Sequence, residues 1–152
     1  MTPCRNRYST RMRTKWATTA GVVFASLVLS GGPAMASPVA EDDTQAISAA
    51  SGPPSGAPCS VGAGAIACFE ALGDKFWVKD KKQDGHHAVA GWSKGHDDPF
   101  GYRCHNYNPG WAYCEWADDI PEHSTIWFSA QVFEGDNPVF EGWGPVVSAK
   151  TT

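Results

Sequence analysis

From Cys59 to the C terminus, short segments rich in aromatic and β-branched residues alternate with segments that favour turns. Such short segments are typical of strands. The separators carry Gly, Pro, Asn and Asp, and no stretch keeps a helical period. Because two sheets must cover each other's apolar faces, the pattern predicts an all-β fold, an antiparallel β-sandwich or a small open barrel. About seven strands are predicted, at 66–72, 75–80, 87–92, 101–106, 111–117, 125–134 and 140–148.

The N terminus has the pattern of a secretory signal peptide over 1–36. A basic head precedes an apolar run at 17–29, and Ala34-Met35-Ala36 supplies small residues for cleavage before Ser37. The apolar run is too short to cross about 30 Å of hydrocarbon, so a membrane anchor is not expected. We predict a secreted, extracellular protein. The basic head consists of Arg5, Arg7, Arg11, Arg13 and Lys15.

Residues 37–58 are rich in Ser, Ala, Gly and Pro and hold almost no large apolar side chain. Such a composition cannot offset the entropy of folding, so we predict a flexible leader. It acts either as a spacer or as a tether or processed propeptide, and its composition does not distinguish these. The globular domain is predicted at 59–152, where six of the seven tryptophans lie.

The cysteines predict two disulfides. Of five cysteines, Cys4 lies in the signal peptide, and an even number in an exported chain indicates pairing. Three pairings are possible, and the spacing favours Cys59 with Cys68 and Cys104 with Cys114. A zinc site is the alternative, but there is no C-x-x-C pair to support it.

One hairpin is predicted in register, with 108–110 as its turn. This register places two cysteines at disulfide distance and an arginine opposite a glutamate, which a shift by one residue would lose. The predicted pairs are Tyr107 with Trp111, His105 with Tyr113, Cys104 with Cys114, Arg103 with Glu115 and Tyr102 with Trp116.

Alternation then sorts this hairpin into two faces. The inward face holds Tyr102, Cys104, Ala112, Cys114 and Trp116. The outward face mixes rings with polar groups, as carbohydrate platforms do, because sugar C–H groups stack on rings while hydroxyls need polar partners. In the alternative, the leader or a loop covers this face and it only packs. The predicted ligand-binding residues are Arg103, His105, Tyr107, Trp111 and Tyr113.

Charge limits the partners. The chain has 12 Lys and Arg against 16 Asp and Glu; five basic residues lie in 1–36, which leaves 7 against 16, a net charge of −9. Nucleic acid and anionic lipid are poor partners for such a surface. We expect a monomer without a membrane anchor that binds a glycan, a cell-envelope component or a secreted protein.

No cofactor, metal or catalytic residue is predicted. His86 and His87 in one turn and His96 with Asp97 and Asp98 in another would supply a divalent ion if they converged, but solvated turn residues are the simpler interpretation. The sequence has no G-x-S-x-G, H-E-x-x-H or phosphate-binding loop, and its cysteines are expected to be paired. We therefore do not expect an enzyme.

Two strings, G-D-x-F-x-V-x-D at 73–80 and D-G-x-x-A-V-A at 84–90, accompany the Cys104 and Cys114 pair. With them the chain resembles small secreted β-domain proteins of Streptomyces-like actinobacteria. The resemblance implies a shared secreted β domain and supplies no site residues.

Two function hypotheses follow from the residues. The first is a small extracellular binding module for a glycan or cell-envelope component, and the alternative is a hydrolase or protease inhibitor that presents an extended loop at 106–110.

Overall fold

The computed structural model describes residues 42–98 and 100–152. The predicted signal peptide, its cleavage point and the start of the predicted leader lie outside these residues. The described part of the chain is all-β, as predicted, with two sheets, one of which is curled into a half-barrel. Within this part of the chain, no helix is long and apolar enough to cross a membrane.

The described part of the chain contains eleven strands. Six of the seven predicted strands are found close to their predicted bounds, and 140–148 is a strand only at its end, because Gly142 takes a φ of 121° and Pro145 follows. The strands are β1 Asp42–Gln45, β2 Ile47–Ala49, β3 Cys59–Val61, β4 Ala65–Glu70, β5 Lys75–Asp80, β6 His87–Ser93, β7 Tyr102–Asn106, β8 Gly110–Glu115, β9 Thr125–Glu134, β10 Asn137–Pro138 and β11 Val147–Lys150.

The first sheet has the order β1-β7-β6-β9-β10, with β11 also paired to β9. The second sheet has the order β2-β8-β5-β4-β3. Neighbouring strands are antiparallel except β1 and β7, which run parallel. Consecutive strands β5 and β6, and again β7 and β8, lie in different sheets, so the chain crosses between the sheets at these connections.

The core lies between the two sheets and is built from alternate residues of each strand. Phe76 of the second sheet is fully buried, and its ring centroid lies 5.6 Å from that of Trp92 and 5.5 Å from that of Phe128, both in the first sheet. Phe69 packs against Phe76 from the neighbouring strand at 5.0 Å. Burying each such ring stabilises the fold by roughly 1.5–3 kcal/mol, so this cluster holds the sheets together.

Both predicted disulfides are confirmed. Cys59 and Cys68 join neighbouring strands β3 and β4 of the second sheet, with a Cα–Cα distance of 4.0 Å. Cys104 and Cys114 join β7 of the first sheet to β8 of the second, with a Cα–Cα distance of 5.9 Å. The second bridge therefore passes through the core and links the two layers.

The predicted hairpin between β7 and β8 was wrong. β7 pairs with β6 and β1, while β8 pairs with β5 and β2, so the 106–110 connection arches from one sheet to the other. Arg103 lies opposite Asp43 and Gly91, and Glu115 lies opposite Lys75. The prediction failed because a disulfide spans facing sheets as readily as facing strands.

The inward set of the same prediction is correct. Cys104, Ala112, Cys114 and Trp116 are buried, and Tyr102 packs against the core. The rings of Tyr102 and Trp116 do meet, with centroids 5.8 Å apart, but they meet across the core. Side-chain alternation within each strand was thus predicted correctly, although the partner of each strand was not.

The expectation of a flexible leader is wrong for residues 42–49. The polar strand β1 lies along β7, and β2 lies along the edge of β8. Between them Ala46 is 7 % exposed, and its N–H donates to the His105 carbonyl at 2.8 Å. An edge strand is held by backbone hydrogen bonds and needs few apolar side chains. The low hydrophobicity of this segment was therefore compatible with a strand and did not indicate flexibility.

Candidate functional site

The five predicted ligand-binding residues do not share one surface. Arg103 and His105 lie on β7 of the first sheet, and Tyr107 follows them in the connection. Trp111 and Tyr113 lie on β8 of the second sheet. Because the outer faces of two packed sheets point in opposite directions, the predicted platform is divided between two places in the molecule.

The outer face of the second sheet carries three half-buried rings, Trp77, Trp111 and Tyr113, which we call the aromatic face. Trp77 lies directly opposite Tyr113 on the neighbouring strand, and their ring centroids are 5.1 Å apart with planes tilted by 43°. The Trp77 indole nitrogen donates to Glu70 Oε2 at 2.8 Å, which fixes the ring's orientation. Sequence reasoning missed Trp77, although its place between the buried residues Phe76 and Val78 marks it as outward-facing.

Charged side chains of both signs border the aromatic face. The Lys75 ammonium lies 5.5 Å from the centroid of the Tyr113 ring and 3.3 Å from Glu115 Oε1. The Lys79 ammonium lies 5.6 Å from the centroid of the Trp111 ring. With Glu70, the border thus holds two lysines and two glutamates, so the rings are surrounded by donors and acceptors without a net charge.

The segment that follows β2 contacts Trp111. A Cβ built on Gly52 would lie only 2.6 Å from the Trp111 indole nitrogen, so the backbone after β2 rests directly on this ring. The alternative in which the leader covers the outward residues therefore applies to Trp111. Trp77 and Tyr113 are the better probes of binding, because substituting Trp111 also removes the ring against which the segment after β2 packs.

On the other sheet, His87 and His105 form a buried hydrogen-bonded pair. His87 Nε2 lies 2.9 Å from His105 Nδ1, and His105 Nε2 lies 3.2 Å from Asp43 Oδ1. Since a carboxylate only accepts, His105 Nε2–H donates to Asp43, and His105 Nδ1 accepts from His87 Nε2–H. This order of donors leaves Nδ1 of His87 as an acceptor.

The environment keeps His87 neutral. Burial is the larger cause and the neighbouring His105 the second, and together they lower the pKa of His87 to about 4, against a smaller opposing effect of Asp136. His87 is 6 % exposed. A neutral imidazole at neutral pH is a hydrogen-bonding group, so this residue presents its Nδ1 lone pair.

The remaining predicted residues pack around this pair. The Tyr107 ring lies against that of His87, with centroids 4.2 Å apart and planes tilted by 30°, and its hydroxyl lies 3.4 Å from His105 Nδ1. The Arg103 guanidinium lies 5.4 Å from the centroid of the Phe133 ring and 3.8 Å from Asp43. Among Arg103, His105 and Tyr107, only Tyr107 is exposed, at 55 %.

A cleft of about 730 Å³ opens beside His87 and Tyr107 at one end of the sandwich, and we call it the end cleft. It lies where the β5–β6 and β7–β8 connections cross between the sheets. Burial is the main cause that raises the pKa of its Asp80 above the usual value, with a further contribution from Asp84. The residues that line it are Asp80, Gln83, Gly85, His86, His87, Tyr107, Pro109 and Gly135.

The histidine turns do not converge. His86 contacts Asp84 within its own turn at 2.9 Å, and His96 contacts the adjacent Asp97 at 2.7 Å. Across residues 42–98 and 100–152, no three His, Cys, Asp or Glu side chains come together as ligands for a metal ion.

The 106–110 connection is compact. Asn106 is 1 % exposed, and its side-chain amide donates to the carbonyls of Val78 and Gly110, each at 3.1 Å. Its Oδ1 accepts from the Asn108 N–H at 3.0 Å. The loop is therefore turned and tied to the core, whereas the inhibitor hypothesis requires an extended loop.

No protein family, curated protein or solved structure matches this chain. Its function is inferred from the arrangement of its own side chains.

Proposed function

We propose that this protein is an exported binding module that holds an uncharged glycan chain on its aromatic face. The observation that carries the proposal is the pair of adjoining rings, Trp77 and Tyr113, on the outer face of an antiparallel sheet. Rings on a sheet are held by the backbone of two strands and lose little freedom when a ligand binds. They offer flat apolar area to the C–H face of a sugar.

The border of this face suits a sugar's hydroxyl groups. Lys75 and Lys79 donate, while Glu70 and Glu115 accept, so each edge of the rings has a partner for a hydroxyl. Two positive and two negative groups leave no net charge to attract an ion. An uncharged polysaccharide is therefore the ligand class that fits this face.

Export is the second part of the proposal. The basic head, the apolar run at 17–29 and Ala34-Met35-Ala36 have the composition of a cleaved signal peptide. The two disulfides are compatible with this, because such bonds persist in oxidising compartments. We propose that the protein acts outside the cell and binds its ligand without transforming it.

The test compares retention of the purified protein on insoluble neutral polysaccharides with that of two tryptophan variants. Trp77→Ala removes a ring of the aromatic face, and Trp127→Ala, on the first sheet, is the control of the same residue type. We expect Trp77→Ala to lower affinity at least about tenfold, or about 1.4 kcal/mol, and Trp127→Ala to leave it unchanged. Circular dichroism checks that both variants fold.

Two results would remove the proposal. One is the absence of retention on every neutral polysaccharide tested. The other is equal retention of the wild type and Trp77→Ala, which would place any binding elsewhere on the molecule. Tyr113→Ala gives an independent second reading, since its ring adjoins Trp77 from the neighbouring strand.

A further inference from the structure

The end cleft is a second concave surface that shares no residue with the aromatic face. Its walls come from the β5–β6 connection, the β7–β8 connection and the turn after β9. Each of these connections leaves from a paired strand, so the walls are held by the two sheets. Clefts formed by connections at one end of a sandwich are common places for ligands.

Two of the side chains that line the end cleft supply hydrogen-bond acceptors. Asp80 contributes a carboxylate and His87 a neutral imidazole, and among its described lining residues there is no lysine or arginine. Lys81, on the same connection, is turned away and donates to the Gly62 carbonyl at 2.7 Å. Asp80 Oδ1 accepts the backbone N–H of Lys82 at 2.8 Å, so among the described lining groups Oδ2 of Asp80 and Nδ1 of His87 are the acceptors that remain for a ligand.

His87 supplies the second of these acceptors. The side chain is 94 % buried, and its Nε2 is occupied by His105. Within the described residues its Nδ1 makes no hydrogen bond, and the ring forms part of the cleft wall. Nδ1 is not among the described buried side-chain atoms that lack a partner, so solvent reaches it at the cleft wall, and a ligand that donates a hydrogen bond there would take the place of that solvent.

Acidic residues around the cleft add a negative potential. Asp84 raises the pKa of Asp80, and Asp136 opposes the lowering of the pKa of His87, so both carboxylates lie within electrostatic reach of the lining groups. His86 offsets part of the charge of Asp84, to which it is hydrogen-bonded. A positively charged group in the cleft would relieve the repulsion between Asp80 and Asp84.

Tyr107 supplies a ring surface beside these acceptors. One face of its ring rests on His87, and the side chain remains 55 % exposed. A ring held from behind in this way attracts both cations and the C–H face of a sugar. Gln83 and His86 add further polar groups to the wall, which a narrow alkyl chain would not use.

We propose that the end cleft binds a sugar unit that carries a free, protonated amino group. The ammonium lies between Asp80 and Nδ1 of His87, and the sugar ring lies against Tyr107. Gln83 and His86 are the partners for hydroxyl groups. This site does not depend on the aromatic face, so either site can fail its test while the other passes.

The experiment measures binding to the full protein by calorimetry near pH 6, where amines and carboxylates are both charged. The probes are a glucosamine tetramer, the same tetramer with every amine N-acetylated, and Nα-acetyl-lysine methylamide. The variants are Asp80→Asn and Tyr107→Ala. Asp118→Asn, at an exposed position on another connection, is the control that removes the same unit of charge.

We expect the glucosamine tetramer to bind at least tenfold more tightly than its acetylated counterpart. Asp80→Asn and Tyr107→Ala should each weaken its binding at least tenfold, and Asp118→Asn should not. The imidazole proton signals of His87 should shift on binding. Asp80→Asn preserves the shape of the side chain, so the test does not depend on a variant that disturbs the fold.

Any of four outcomes would overturn the proposal. Equal binding of the two tetramers, or no binding of the glucosamine tetramer, would show that the amine is not recognised. An unmoved His87 signal would place binding outside the end cleft. If the lysine derivative bound more tightly than the glucosamine tetramer, the ligand of the cleft would be a lysine side chain of a protein and not an amino sugar.

Discussion

His87 and His105 share one hydrogen bond of 2.9 Å between their rings and are only 6 % and 7 % exposed. They lie on neighbouring strands β6 and β7, and Asp43 accepts from the far side of His105 at 3.2 Å. The arrangement requires a neutral His87. A second proton on its ring would place a positive charge in a buried position beside His105. The fold is thereby coupled to pH.

We predict that stability falls as the pH is lowered from about 6.5 towards 4. In the unfolded chain His87 takes up a proton near pH 6.5, whereas the folded protein holds its pKa at about 4. Between these values the unfolded state binds more protons, so acid favours unfolding. The loss is on the order of 3 kcal/mol, measurable by urea unfolding at several pH values.

His87→Gln isolates this contribution, because all other titrating groups remain. The variant should be less stable than the wild type at about pH 7 and should show a smaller loss on acidification. His96→Gln, which removes an exposed imidazole, should keep the wild-type profile. Parallel profiles for the wild type and His87→Gln would show that another group controls the acid response.

The two disulfides are predicted to contribute unequally. Each closes a loop of similar length, with sequence separations of 9 and 10, worth about 3 kcal/mol on the chain-entropy model. Cys104 and Cys114 also fill core volume between the sheets, whereas Cys59 is partly exposed. The double alanine variant at 104 and 114 should therefore lose about 1–2 kcal/mol more than that at 59 and 68. Urea unfolding of both variants measures this, and equal losses would mean that the core closes around the missing sulfurs.

Much of the fold could be predicted from local sequence pattern, and the predictions that failed did so for one physical reason. The aromatic and β-branched residues of 75–80 and 125–134, bounded by turn residues, predicted β5 and β9 at their observed bounds, because strand preference depends on neighbouring residues along the chain. Which strand pairs with which depends on contacts between distant residues. The predicted β7–β8 hairpin failed for this reason, although its disulfide was correct.

The candidate site was predicted only in part. Trp111, Tyr113 and Tyr107 were chosen because their residue types suit a ligand, but the assumed hairpin placed them on one surface. Trp77 was missed because its strand was not known to lie beside β8, and the end cleft forms from connections far apart in sequence. A site assembled across two sheets requires the topology before its members can be recognised.

Asn106 is predicted to be essential for the crossing between the sheets. Its buried amide donates to two carbonyls, so Asn106→Asp would replace a donor by a carboxylate facing two acceptors. We expect a loss of at least about 3 kcal/mol in the free energy of unfolding. Asn108→Asp, two residues along and exposed, is the matched control and should change stability by less than about 0.5 kcal/mol. Chemical denaturation gives both values, and similar effects of the two changes would contradict the assigned role.

Gly62 and Gly95 offer a paired test of packing at the edge of the sandwich. A Cβ on Gly62 would overlap the carbonyl oxygen of Gly142, and backbone atoms in that segment cannot move without disturbing the bond from Gly144 N–H to the Ala130 carbonyl at 2.8 Å. A Cβ on Gly95 would meet only the carboxylate end of Asp98, which is exposed and free to rotate. Gly62→Ala should therefore cost about 2–3 kcal/mol, and Gly95→Ala less than about 1 kcal/mol. Thermal and urea unfolding measure both, and a Gly62→Ala protein as stable as the wild type would show that the 142–144 segment yields without cost.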